Sequence, residues 1–237
     1  MNNTKKYWKI DAPENENIRT MLNFPPEYYE KRLRKIGFTG KDRTLLDAGC
    51  GAGHWSLAAS NLVKSVSGID STEKYLLVAK DIQKGFSKKN IDLIFGKMEK
   101  LPYKDNSFDL VFSYCAWMYT KRPKSLKELT RVLKPDGKIY FGAVTGFGWY
   151  LKMIGQGIFQ GNRQLIWESL KAIKNRVYTN ESETRKLFRR NNLRIIGLGS
   201  DANLGDPKII IKPLYEKKVL FFWNVYEILA VKEKGVS

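Results

Sequence analysis

The sequence predicts an α/β fold, a mostly parallel sheet covered by helices on both faces. Three observations predict it. Apolar runs of strand length alternate with segments of helical period between residues 26 and 144. A glycine loop, Gly49 to Gly53, follows the first apolar run and opens a helical segment. An acid, Asp70, closes the second apolar run. Strands and helices in alternation need a sheet buried on both faces, with ligands at the carboxyl ends of its strands.

The elements follow in order. "PEYYEKRLRKIG" opens on a proline and closes on a glycine, as a short helix does. "RTLLDAG" is a buried strand, and "HWSLAASNLV" is the helix after the glycine loop. "SVSGID", "IDLIFG" and "SFDLVFSYC" are further strands, with the helix "TEKYLLVAKDIQKGF" between the first two. "PKSLKELTRVLK", a "PDG" turn and the strand "KIYFGAV" complete the alternation. After Val144 an aromatic, glycine-punctuated segment is too long for an ordinary connection. "NESETRKLFRRNN" has a capping-box start, and "LRIIGLG" and "FFWNVYEILAVKE" supply a closing pair of edge strands.

Composition narrows the class. Of 237 residues, 43% are hydrophobic, enough for a core. Cys50 and Cys115 cannot form a disulfide framework, and no Cys or His cluster suggests a metal, so none is expected. The N-terminus lacks the apolar run of a signal peptide, and no segment is long and apolar enough to span a bilayer, so a cytoplasmic protein is expected. The net charge of +18 favours anionic partners, but it is spread through runs such as "KRLRK" and reads as a solvated surface.

The glycine loop lacks the Lys-Ser or Lys-Thr of a phosphate-binding NTPase loop, and its GxGxG spacing is not the GxGxxG of a dinucleotide fold. Asp47 stands before the glycines, where its charge would repel a pyrophosphate and attract a cation. With that acid the chain begins to resemble the class I S-adenosylmethionine-dependent methyltransferases, the small-molecule branch that includes ubiquinone and menaquinone methyltransferases. "LLDAGCGAG", "GID", "GKMEKLPYKDNSFDLVFS" and "ELTRVLKPDGKIYF" are similar to that family's motifs and stand in its order.

The resemblance implies a Rossmann-like, seven-stranded sheet with an antiparallel C-terminal edge. It implies S-adenosylmethionine as cofactor, with S-adenosylhomocysteine as product. Asp47, Gly49 and Gly51 would then face the methionine end, Cys50 would also bind the cofactor, and Asp70 and Ser71 would lie by the ribose. Met98 and Glu99 would lie by the adenine, and Ser113 and Tyr114 near the reacting methyl. The family often has Asp where this chain has Lys97, which cannot accept a hydrogen bond. Glu99 or a backbone carbonyl would have to replace it.

No catalytic residue is assigned. His54, the sole histidine, reads as cofactor packing or a cap rather than a base, and Cys115 as a buried, inert thiol. The expected layout is a cap or lid in 1–40, a cofactor core in 41–145, an inserted lid or substrate segment in 146–180 and a completing helix and strands in 181–237. The acceptor is expected to be a small molecule, aromatic, hydrophobic or anionic. An RNA methyltransferase and a non-catalytic binding module are the rivals. For residues 146–160, with Trp149, Tyr150, Met153, Ile154 and Phe159, packing on the sheet is favoured over peripheral membrane contact.

Overall fold

The computed structural model describes residues 3–10, 19, 22–175, 178–213, 218–219, 222–223 and 225–234. Nine strands are named in chain order: β1 (Gly40–Ala48), β2 (Val63–Asp70), β3 (Ile91–Phe95), β4 (Phe108–Tyr114), β5 (Leu133–Thr145), β6 (Leu193–Ser200), β7 (Lys218–Val219), β8 (Phe222–Trp223) and β9 (Val225–Lys232). Seven of them form one sheet in the order β3-β2-β1-β4-β5-β9-β6, with β9 antiparallel to both β5 and β6. β7 and β8 make a separate pair. The helices are α1 (Asn3–Trp8), α2 (Pro26–Lys35), α3 (His54–Ser60), α4 (Glu73–Gly85), α5 (Arg122–Val132), α6 (Phe147–Phe159), α7 (Arg163–Lys174) and α8 (Glu181–Arg190). The expected sheet and its antiparallel edge are present.

Consecutive strand residues point to opposite faces, and the core divides accordingly. Leu45, Phe112 and Tyr140 join Trp8, Leu33, Phe38 and Trp55 on one face. Their neighbours Leu46, Val111 and Phe141 join Trp117, Leu126 and Phe188 on the other. The helices cover the sheet through matching stripes. α4 buries Leu76, Ala79 and Ile82, and α8 buries Thr184 and Phe188. Asn180 caps α8 by accepting the amide hydrogen of Glu183 at 2.8 Å.

Several boundaries differ from expectation. The helix after the glycine loop stops at Ser60, and Val63 already belongs to β2. The sheet takes these residues: Val63 pairs with Gly40, whose amide donates to the Leu62 carbonyl. The "PDG" turn is an excursion inside β5, where pairing jumps from Phe108 with Leu133 to Leu110 with Lys138. β9 is not an edge strand. Val225 to Ala230 are all buried, as an interior strand requires, and half-exposed β6 takes the edge instead. Phe222 and Trp223 belong to the small pair and not to β9.

The segment after β5 is a helical hairpin, α6 and α7, turned at Gln160 to Asn162. Gly157 permits the close approach, because a Cβ there would meet Ile166 Cγ1 at 2.6 Å. Asn162 caps α7 by accepting from Leu165 N at 3.0 Å. Among the described residues no helix is long and apolar enough to cross a membrane.

Candidate functional site

In the sheet β1 lies between β2 and β4, so the carboxyl ends of all three converge on the glycine loop. Gly49, Gly51 and Gly53 have φ of 79°, 52° and 76°. Two of these positions also exclude a side chain. A Cβ on Gly49 would lie 2.3 Å from Ala116 Cβ and 2.7 Å from Met98 Cε, and one on Gly53 would lie 2.7 Å from Ala79 Cβ. The Gly49 and Cys50 amides both donate to the Ile69 carbonyl, at 2.8 and 3.1 Å, which ties the loop to the end of β2. The glycines are therefore required by conformation and by proximity.

Two carboxylates flank this loop. Asp47, at the end of β1, is buried and accepts the Ser56 hydroxyl hydrogen at 2.6 Å. Burial pushes its carboxyl up to about 7, against the lowering effect of Ser56. Asp70, closing β2, accepts from Gly51 N at 2.9 Å and from Thr72 N at 2.8 Å, one bond to each oxygen. A carboxylate has about four lone-pair sites, so Asp70 is aimed by two backbone amides and still has acceptor capacity.

The other predicted residues sort themselves around this pair. Cys50 is buried, its thiol pushed well above the usual range by burial and then by the charges of Asp47 and Asp70. Ser71 is exposed beside Asp70. Met98 is buried, packed at Gly49 with Ala116. Glu99 accepts from Lys121 N at 2.9 Å, at the start of α5. That engagement uses the oxygen Oε1 of the carboxylate expected to stand in for the missing acceptor at Lys97. Ser113 is buried at the end of β4, its hydroxyl without a hydrogen-bond partner among the described residues. Tyr114 turns to the opposite face, its ring 4.9 Å from that of Trp55.

His54 begins α3, buried among the rings of Tyr29, Trp55 and Trp8 at 5.0, 5.9 and 6.4 Å. Burial lowers it from 6.5 to about 3, so it is neutral. Cys115 corrects its expectation: it is exposed, with φ of 53°, just beyond β4.

A charged cluster beside Tyr114 escaped the sequence reading. Arg32, from the apparently solvated run "KRLRK", is only 4% exposed. Its Nη2 meets Asp201 at 2.5 Å and Glu227 at 2.8 Å, and its Nη1 donates to Tyr114 Oη at 3.3 Å. Tyr114 in turn donates to Asp201 at 3.3 Å, and Tyr140 donates to Glu227 at 2.6 Å. Lys35, from the same run, is buried too, donating to the Ile209 carbonyl at 2.6 Å. A small cavity opens here between Arg32, Trp55, Phe112, Tyr140 and Glu227. No local signal identifies this cluster, because the two acids lie 169 and 195 residues beyond Arg32.

The residues at the loop suit a cationic nucleoside. Among the described residues Asp47 is a buried carboxyl held by Ser56, Asp70 is a carboxylate held at the strand end, and Ser113 is a buried hydroxyl without a hydrogen-bond partner. A family model described as "Methyltransferase domain" matches residues 46–141, which hold all of these groups. The demethylmenaquinone methyltransferase of Staphylococcus aureus (strain MRSA252) is 35% identical over 129 residues, 52% of this chain and 53% of that protein. The uncharacterized methyltransferase YcgJ of Bacillus subtilis (strain 168) is 36% identical over 98 residues, 41% of this chain and 39% of that one. The match thus spans about half the length of the first relative and less of the second.

Solved structures extend the likeness of fold over most of the chain. The YcgJ protein of Bacillus subtilis covers 87% of this chain and 99% of its own, with a TM-score of 0.60 at 19% identity. Geranyl diphosphate methyltransferase in complex with S-adenosylmethionine covers 94% and 93%, with a TM-score of 0.64 at 16% identity. The fold is therefore the Rossmann-like one of these solved methyltransferases. Residues 46–141 of this chain are thus similar in sequence to methyltransferase domains, and most of the chain is similar to them in fold.

Proposed function

We propose that this protein is an S-adenosylmethionine-dependent methyltransferase acting on a small-molecule acceptor with an apolar or aromatic body. The observation that carries the reading is the pair Asp47 and Asp70 held on either side of a positive-φ glycine loop at the carboxyl edge of a parallel sheet. When bound, the cofactor supplies a methyl group on a positively charged sulfur, ready for in-line displacement.

The chain's own residues bind, orient and exclude water. Asp47 would hold the cofactor's ammonium, and Asp70 would accept from the ribose hydroxyls. Met98 and Ala116 form the apolar wall beside Gly49 on the adenine side. Ser113 presents its unpartnered hydroxyl at the end of β4. The acceptor would enter beside Tyr114 and Trp55, whose rings, 4.9 Å apart, favour an apolar body. The demethylmenaquinone methyltransferase name of one relative is in keeping with that class. His54, buried and neutral, is not assigned as a base. A neutral amine or a phenolate acceptor would need none.

The test is calorimetric titration with S-adenosylmethionine and S-adenosylhomocysteine, with NAD as control and Asp70→Ala alongside. Binding of both sulfur nucleosides, lost in Asp70→Ala, supports the reading. A folded protein that binds neither would sink it. Labelled-methyl transfer to pooled RNA, and not to small molecules, would transfer the reading to its RNA rival.

A further inference from the structure

The helical hairpin α6–α7 leaves the sheet at the end of β5, the same edge that carries the glycine loop. Its base is partly buried: Trp149, Tyr150, Leu151, Met153 and Ile154 are all half covered. Its far end is not. Phe159 is 93% exposed, Ile158 68% and Trp167 67%. These side chains end α6 and lie one turn into α7, either side of the short connection.

The surface of α7 continues the same patch. Arg163, Trp167, Leu170, Lys171 and Lys174 follow at spacings of four, three, one and three, which places them on one stretch of helix face. All five are exposed. The acid of α7, Glu168, accepts from Gln164 at 2.9 Å. Apolar side chains thus stand between cations at both ends of the helix. Such a patch is unlike a solvated helix face, where large apolar groups are scattered singly. It is also unlike a dry protein interface, whose centre is poor in lysine.

We infer that the tip of this hairpin docks on a lipid bilayer bearing anionic headgroups. Phe159, Ile158, Trp167 and Leu170 enter the headgroup–acyl boundary, and Arg163, Lys171 and Lys174 meet the lipid charges. The apolar groups supply the insertion, and the cations supply attraction within about one Debye length, roughly 8–10 Å at moderate salt. The net charge of +18 attracts the whole protein toward such a surface. Gly157 and the Asn162 cap hold the two helices together, so the patch is presented on a rigid hairpin. The sequence favours packing over membrane contact for residues 146–160; the aromatic residues nearer β5 are half buried, whereas the exposed groups run from Ile158 to Lys174. The inference does not depend on the methyltransferase reading.

The experiment is flotation of the full chain with unilamellar vesicles, of phosphatidylcholine alone or mixed equally with phosphatidylglycerol. The protein is expected to float with the mixed vesicles and far less with the neutral ones. Phe159→Ser combined with Trp167→Ser keeps every charge and should weaken binding by at least roughly tenfold. Lys171→Gln with Lys174→Gln should weaken it by a similar factor and reduce its salt dependence. Leu77→Ser, which removes an apolar residue 57% exposed on α4, should leave binding unchanged. Brominated lipid should quench the protein's fluorescence, and Trp167→Phe should remove most of that quenching.

Equal binding by the Phe159/Trp167 double variant would overturn the inference, because charge anywhere on the surface would then suffice. So would a concentration-dependent dimer, undone by the same double variant, in protein that ignores vesicles. In that case a second copy covers the patch. Charge-dependent binding of RNA by protein that does not float would overturn it as well.

Discussion

Ser56 donates its hydroxyl hydrogen to Asp47 at 2.6 Å, yet burial still raises the carboxyl to about 7. That donor thus fails to offset the loss of water around this group. A buried acid that holds its proton this tightly costs the protein stability as pH rises. Below about pH 4 the carboxyl is protonated whether the chain is folded or unfolded, and it costs nothing. Between 3.8 and about 7 the unfolded chain releases the proton first, and stability falls.

Asp47→Asn keeps an acceptor for Ser56 and removes the charge. It should stabilise the protein at pH 8 by up to about 4 kcal/mol, at roughly 1.4 kcal/mol per pKa unit, and change it little at pH 4. The same substitution should weaken S-adenosylmethionine binding by more than tenfold, since the charge that burial penalises is the one a cation would repay. Urea unfolding at the two pH values, with calorimetry, measures both. A variant no more stable than the parent at pH 8 contradicts the buried charge. A stabilised variant that binds the cofactor normally contradicts only its role.

His54 has the opposite sign. Its ring is neutral in the folded state down to about pH 3, while in the unfolded chain it takes a proton near 6.5. Stability from this group is intact above 6.5 and lost as pH falls toward 3. At pH 5 the loss is about 2 kcal/mol. His54→Phe, which keeps a ring against Tyr29 and Trp55, should unfold at a higher temperature than the parent at pH 5 and match it at pH 8. Equal effects at both pH values would show that the histidine is not held neutral.

What could be read in the sequence, and what could not, follows from chain distance. The parallel core and its glycine loop depend on residues close together in the chain, so alternation and spacing reveal them. Asp47, Gly49 and Asp70 belong to that local pattern. Arg32 does not, because a lysine-rich helix facing water and one that buries its arginine look alike until the partners are known. Those partners come from the loop after β6 and from β9. The interior place of β9 was hidden for a similar reason, since pairing with β5 and β6 is a property of three distant segments. Cys115 was misjudged because its neighbours suggest a continuing strand, whereas its φ of 53° ends β4 and turns it outward.

Gly49 should not tolerate even a methyl group. Its φ of 79° is unfavourable for alanine, and the new Cβ would fall 2.3 Å from Ala116 Cβ. Gly49→Ala should cost about 2–4 kcal/mol, combining backbone strain with overpacking. Met98→Ala should not rescue it, since the Ala116 contact is the closer one. Urea midpoints of the single and double variants decide this, and a double variant restored to parental stability would place the clash on Met98 instead.

Removing Arg32 should unfold the protein more readily at neutral pH than in acid. Arg32→Met keeps much of the side-chain volume between Trp55 and Tyr114, and it leaves Asp201 and Glu227 buried without their cation. Losing one member of a buried ion cluster typically costs about 3–5 kcal/mol. Burial already pushes the Glu227 carboxyl up, against the pull of Arg32 and the Tyr140 hydroxyl. Without Arg32 that carboxyl should hold its proton to higher pH, so the cost should be largest near pH 8 and shrink toward pH 5. Asp201→Asn with Glu227→Gln, added to Arg32→Met, removes the stranded charges and should recover much of the loss. If the single variant lost the same stability at both pH values and the triple variant recovered none, the cluster would matter for packing and not for charge.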